Sequence, residues 1–153
     1  MIVKLKMVRI SSLIYIIGLQ IDMKGAGIIF LNSNNEVLLL LRDNNQSIQY
    51  PNMWDIPGGI IEENENPEET VRREMKEEME ISDLGEIKLF NIFTSENLTD
   101  YVFWKNIDIN SEEINLHEGQ KIKFFNREQI KNIKMAFNYN EVLEKFFNQI
   151  VNE

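Results

Sequence analysis

At 153 residues the chain suits one domain, long enough to bury about two-thirds of its unfolded surface around a single core. Its apolar fraction of 43% and charged fraction of 27% are those of an ordinary globular protein, and a net charge of −9 argues against nucleic acid, whose phosphates need clustered Lys and Arg. The absence of cysteine excludes disulfides, a thiolate nucleophile and a cysteine zinc site, and a single imidazole, His117, argues against a soft-metal centre.

In chain order, residues 1–22 carry Lys4, Lys6 and Arg9 before the apolar run Leu13 to Leu19, which has the outline of a signal peptide. That run is too short to span a bilayer, and Gln20, Ile21 and Asp22 follow it where a cleavage site would need small residues. The expectation is an N-terminal extension or extra strand over 1–22, a domain over 23–153, no membrane partner and a cytoplasmic location. Gly25 to Leu31 and Val37 to Arg42 are β-rich runs around the turn residues Asn32-Ser33-Asn34-Asn35. Asp43 to Asn52 is polar and reads as a loop on the substrate side. Trp54-Asp55-Ile56 is a short strand ending at Pro57-Gly58-Gly59, where small residues let the backbone turn sharply and approach a ligand.

Asn66 then reads as the cap of a helix, with Pro67 at its first position and Glu69 at the capping-box site. Val71, Met75 and Met79 form its core stripe. From Glu62 to Glu80 the chain sets nine Glu against Arg72, Arg73 and Lys76. Glu74, Glu77 and Glu78 fall at i, i+3 and i+4, so they share an arc of about 100° on one helix face. Like charges crowded there oppose the helix unless a cation joins them, and an oxygen-only cluster suits magnesium, with manganese as the alternative. Glu86 to Phe93, Asp100 to Ile107 and Lys121 to Phe125 read as further strands. Tyr139 to Val151 reads as a closing helix with Val142, Leu143, Phe146, Phe147 and Ile150 on its apolar side.

Written as G-x5-E-x7-R-E-U-x-E-E-x-G-U, with U apolar, the Nudix box maps onto Gly59, Glu65, Arg73, Glu74, Met75, Glu77, Glu78 and Ile81, and the chain therefore resembles the Nudix hydrolase family, MutT-like members included. One fixed position departs: the second Gly is Glu80. The resemblance is clearest from Met23 to Phe125. It implies an α/β fold, an α/β/α sandwich with a mixed β-sheet, and pyrophosphate hydrolysis. It also implies metal ligands at Glu74, Glu77 and Glu78 and at the Gly59 carbonyl, with Arg73 orienting the glutamates and Glu65 behind or bridging the metal. Glu118, before the strand at Lys121, resembles the distal glutamate of MutT-type members, with Glu112 and Glu113 as competitors. Arg42, Trp54 and Gly58 are candidates for contact with substrate.

The markers of several Nudix subfamilies are missing, since the only prolines are Pro51, Pro57 and Pro67 and no S-Q-P-W-P-F-P signature is present. The expected reaction is conversion of a nucleoside or deoxynucleoside triphosphate to monophosphate and pyrophosphate by a monomer or homodimer. An ADP-ribose or nucleotide-sugar pyrophosphatase is the rival, and a non-catalytic nucleotide-binding regulator is the alternative of another class.

Overall fold

Nine consecutive residues, Met23–Leu31 (β1), lie side by side in parallel with Leu98–Asn106 (β6), from the pair Met23 and Leu98 to the pair Leu31 and Asn106. The computed structural model describes residues 22–151, so the expectations for residues 1–21 fall outside the described residues. From Ala26 to Leu31, β1 is a continuous buried run, the mark of a strand covered on both faces. On one face Ala26, Ile28 and Phe30 meet Val71, Met75 and Met79 of the helix Pro67–Met79 (α1). On the other, Ile29 and Leu31 meet Val142, Leu143, Phe146 and Phe147 near the C-terminus. This is the expected α/β/α sandwich.

The remaining strands complete a mixed seven-stranded sheet: Val37–Leu41 (β2), Trp54–Asp55 (β3), Gly58–Ile60 (β4), Lys88–Ser95 (β5) and Lys121–Phe125 (β7). Its main path runs β3, β2, β1, β6, β5, while β4 pairs antiparallel with the start of β1 and β7 antiparallel with β2. β5 and β6 extend to a tight hairpin between Ser95 and Leu98, beyond the ends expected from sequence, because Thr94 and Thr99 pair across it. A short helix Arg127–Ile130 (α2) was not anticipated, although Asn126 and Gln129 form a reciprocal capping box. The closing helix is α-helical over Tyr139–Phe146 (α3) and turns π-helical over Phe147–Val151, a correction to the single helix expected. Among the described residues no helix is long and apolar enough to cross a membrane.

The ends of α1 fix the carboxylate face. Asn66 Oδ1 accepts from the Glu69 backbone N–H at 2.8 Å, as a capping residue should. The Glu69 carboxylate bonds the Asn66 side-chain amide, where a capping box would send it to the Asn66 backbone N–H. At the other end Glu80 is left-handed, φ 55° and ψ 29°, and the N–H groups of Glu80 and Ile81 both reach the Met75 carbonyl. A non-Gly residue there costs about 1 kcal/mol. Replacing Glu80 with Gly is expected to leave the protein as stable or more stable by up to about 1 kcal/mol. Urea denaturation checks this, and clear destabilisation would mean that the contact between the Glu80 carboxylate and His117 Nε2, 3.4 Å apart, outweighs the backbone term.

Candidate active site

Glu78 is one of four buried polar or charged side chains among the described residues, 8% exposed although it stands on the acidic face of α1. Burial, and then the neighbouring Glu74 and Glu118 carboxyls, push its carboxyl well above the usual carboxylate range. Glu74 reaches it from the preceding turn. Glu118 reaches it from the loop before β7, which is tied down where the His117 N–H donates to the Glu78 carbonyl at 2.8 Å. Gly119, at φ +83°, lies so close to Leu40 that an added Cβ would sit 2.6 Å from its Cδ1, so the turn after Glu118 has little freedom. Glu112 and Glu113 stay exposed on a 3-10 turn.

Arg73 holds the rest of the box in place. Its Nε donates to Glu65 Oε2 at 2.7 Å and one terminal nitrogen to Glu65 Oε1 at 3.0 Å, a bidentate fork. The other terminal nitrogen donates to Glu74 at 2.7 Å and stands 3.5 Å from Glu77. Glu65 also receives the Thr70 hydroxyl and the Glu62 N–H. The Arg73 hydrogen bond is the largest cause that takes the Glu65 carboxyl down to about 2, and the same bond raises Arg73. Arg72, off the motif, pairs instead with Glu68 at 2.7 Å.

Gly59 faces Glu74 so closely that a Cβ built on it would sit 2.4 Å from both the Glu74 Cδ and Oε1. A Cβ on Gly58 would sit 2.3 Å from the Ala26 carbonyl oxygen, so that glycine is required by the contact between β4 and β1. Changing Gly59 to Ala must displace Glu74, and turnover is expected to fall at least about tenfold, or about 1.4 kcal/mol in the barrier, with the fold retained. Steady-state kinetics beside a circular dichroism melt measure both.

The other candidates lie on the opposite side of the strand end. Arg42 donates to Asp55 Oδ2 at 2.7 Å and to the Gln49 carbonyl at 3.1 Å. Trp54 packs edge-on against Phe125, centroids 4.6 Å apart, among the side chains beneath α3. Sequence reasoning missed Asp55 and Asp100, both buried. Burial raises Asp55 to about 6 against the pull of Arg42, and burial raises Asp100, which accepts the Tyr139 hydroxyl at 2.6 Å. No spacing rule signals either one, because they come from β3 and β6.

Among the described residues no three carboxylates are gathered closely enough to enclose an ion as they stand. The donor set nonetheless fits a hard divalent ion: it is oxygen-only, with one carboxyl buried against two others, and it stands beside Gly59, where any side chain would clash with Glu74.

The profile of the NUDIX domain matches residues 22–146. No curated protein sequence matches the chain. Among solved structures, a MutT protein from Methanosarcina mazei Go1 is 23% identical with a TM-score of 0.67, covering 83% of this chain and 94% of its own. The NUDIX domain of Shewanella oneidensis NrtR, complexed with ADP ribose, is 15% identical with a TM-score of 0.70, covering 87% and 91%. A bifunctional NMN adenylyltransferase/ADP ribose pyrophosphatase from Francisella tularensis is 17% identical with a TM-score of 0.72, and the match covers 92% of this chain and 45% of that one.

Proposed function

The chain belongs to the NUDIX domain family, whose enzymes are pyrophosphohydrolases, and from that premise we propose that it hydrolyses a nucleoside or deoxynucleoside triphosphate to the monophosphate and pyrophosphate. The observation that carries the proposal is the convergence of Glu74 and Glu118 on the buried Glu78, beside Gly59 and braced by Arg73. Bare carboxylates would repel a polyphosphate. Magnesium, or manganese in its place, would be held by Glu74, Glu77, Glu78 and Glu118 and by the Gly59 carbonyl, and when bound it neutralises phosphate charge and acidifies water.

The chain's own residues perform the rest. Glu78, whose carboxyl burial raises, would have to be ionised to serve as a ligand, so an ion held there would be bound more tightly as pH rises. Arg73 fixes Glu65 and Glu74 through one guanidinium, which limits the rotamers each carboxylate can adopt. The bond broken is the anhydride between the α and β phosphorus atoms, with water supplying the oxygen. The substrate is a small nucleotide, the setting cytoplasmic and the acting unit a monomer or homodimer.

A second reading, cleavage of ADP-ribose or a nucleotide sugar, is favoured by the similarity to the ADP ribose pyrophosphatase from Francisella tularensis and to the NrtR domain complexed with ADP ribose. A panel of nucleoside triphosphates, ADP-ribose and nucleotide sugars, assayed with magnesium, decides between them. The proposal expects the highest kcat/KM on a triphosphate, and turnover of ADP-ribose far above every triphosphate would promote the second reading. Binding of all of them without turnover would leave a nucleotide-binding regulator.

A further inference from the structure

The sheet ends on strands of unequal character. At one side β3 is two residues long and bridges to Met135, while β7, which pairs only with β2 among the described residues, carries Lys121 and Lys123. Shortness and edge lysines are the ordinary guards against pairing with another chain. At the other side β5 is eight residues long and pairs only with β6 among the described residues. From Leu89 to Ser95 it holds no charge and no proline.

Both the backbone and the side chains of β5 are offered outward. Ser95 and Leu98 flank the two-residue turn Glu96-Asn97, which makes them the first hydrogen-bonded pair of the hairpin. Alternation then turns the N–H and C=O groups of Thr94 and Ile92 away from β6. The Ile92 N–H accordingly donates to the Asn91 side-chain oxygen, at 2.8 Å, and not into the ladder. The bulge between Leu89 and Asn91 brings Leu89, opposite Phe103, and Ile92, opposite Tyr101, to the face of the sheet on which α1 packs. The helix does not cover them. Leu89 is 50% exposed and Ile92 45%, two of the three large apolar side chains so exposed among the described residues.

We infer that β5 is a self-pairing edge, and that two copies of the chain join antiparallel about a two-fold axis at Ile92 to make one continuous sheet. The strand fits itself in three ways. With Ile92 opposite the partner's Ile92, each outward N–H meets an outward carbonyl, and the Asn91 side chain gives up its place to a main-chain acceptor. The two Ile92 side chains then lie against one another and Leu89 lies beside the partner's Thr94, all on one face, as a two-fold axis perpendicular to the sheet requires. Lys88, the sole charge of each strand, comes to the partner's turn, where Glu96 stands. Opposite charges therefore meet at both ends of the pair and no like charges face each other. A peptide of another sequence would satisfy the backbone, but Ile92 against itself and Lys88 against Glu96 are particular to a second copy.

The chain has no cysteine, so Ile92→Cys and Leu89→Cys each supply a single thiol. In this register the two copies of position 92 have Cβ atoms about 5 Å apart, within a small shift of disulfide reach, whereas the two copies of position 89 are held roughly 15 Å apart along the strands. Under mild oxidation of the full chain, Ile92→Cys is expected to cross-link at least about tenfold faster than Leu89→Cys, although the two sites are similarly exposed. Light scattering over a concentration series should show the wild type passing from one chain to two. Ile92→Lys should stay at one chain and keep its circular dichroism spectrum. Equal cross-linking rates would mean random collision and would overturn the inference, as would a wild type that is monomeric up to about 1 mM. A monomer in which the Ile92→Cys thiol resists a maleimide would show β5 covered by another part of the chain, which equally overturns it. Should Ile92→Lys fail to fold, the two cross-linking rates and the wild-type mass still decide. None of these readouts involves turnover, so they stand apart from the proposed reaction.

Discussion

Glu78→Gln and Glu77→Gln should each lower turnover with magnesium by at least about a hundredfold, a loss of about 2.7 kcal/mol in the barrier, while the fold survives. The two residues reach that result from different surroundings. Glu78 is buried and its carboxyl is raised, which disfavours the charged form, so the neutral Gln should leave stability without metal equal or higher. Glu77 is half exposed, its carboxylate 3.5 Å from Arg73, and its loss leaves little uncompensated. What both variants lose is ligand charge. Magnesium should therefore raise the melting temperature of the wild type by mass action and leave the Glu78→Gln melt nearly unmoved. Wild-type turnover in both variants would overturn the metal assignment. Glu118→Gln should act in the same direction but less strongly, because its carboxylate comes from a loop.

Arg73→Met is expected to combine two losses. The guanidinium is the shared partner of Glu65 and Glu74, whose side chains are 13% and 14% exposed, so its removal strands two largely buried carboxylates. Breaking such a partly buried pair costs about 2–4 kcal/mol, the surface value being too small and the fully buried value too large. Activity should drop at least about tenfold in parallel as Glu74 loses its fixed rotamer. Arg73→Lys keeps the charge but not the fork, so it should restore only part of either loss. The pH dependence supplies an independent check. The Glu65 carboxyl is lowered from 4.5 to about 2 chiefly by its hydrogen bond with Arg73, so its stabilising contribution is present above pH 4.5 and is lost as pH falls toward 2. In Arg73→Met that component of acid destabilisation should shrink. Urea denaturation at pH 7 and pH 3 measures the difference, and equal acid sensitivity in the two proteins would refute it.

The acidic helix was readable because its signals are local. Asn66 and Pro67 mark its start, Val71, Met75 and Met79 its buried stripe, and the box spacing its acidic face, while the unusual Glu80 does take the left-handed turn expected of a glycine. What sequence spacing could not supply was anything assembled across the sheet. β4 is only three residues and owes its existence to pairing with β1, for which Gly58 and Gly59 give no periodic signal. The choice of Glu118 over Glu112 and Glu113 depends on the His117 N–H reaching the end of α1, a contact set by tertiary packing. Asp100 read as a polar start to a strand, and only the nine-residue parallel register of β6 with β1 brings it opposite Gly25.

The proposed reaction at the carboxylate face of α1 is hydrolysis of a nucleoside triphosphate between its α and β phosphorus atoms with a divalent ion. Chromatography of the products after incubation with magnesium, beside an EDTA control, tests it most directly. Nucleoside monophosphate and pyrophosphate are expected in equal amounts, with no reaction in EDTA and orthophosphate only after an inorganic pyrophosphatase is added. Nucleoside diphosphate with direct release of orthophosphate, or undiminished turnover in EDTA, would contradict it.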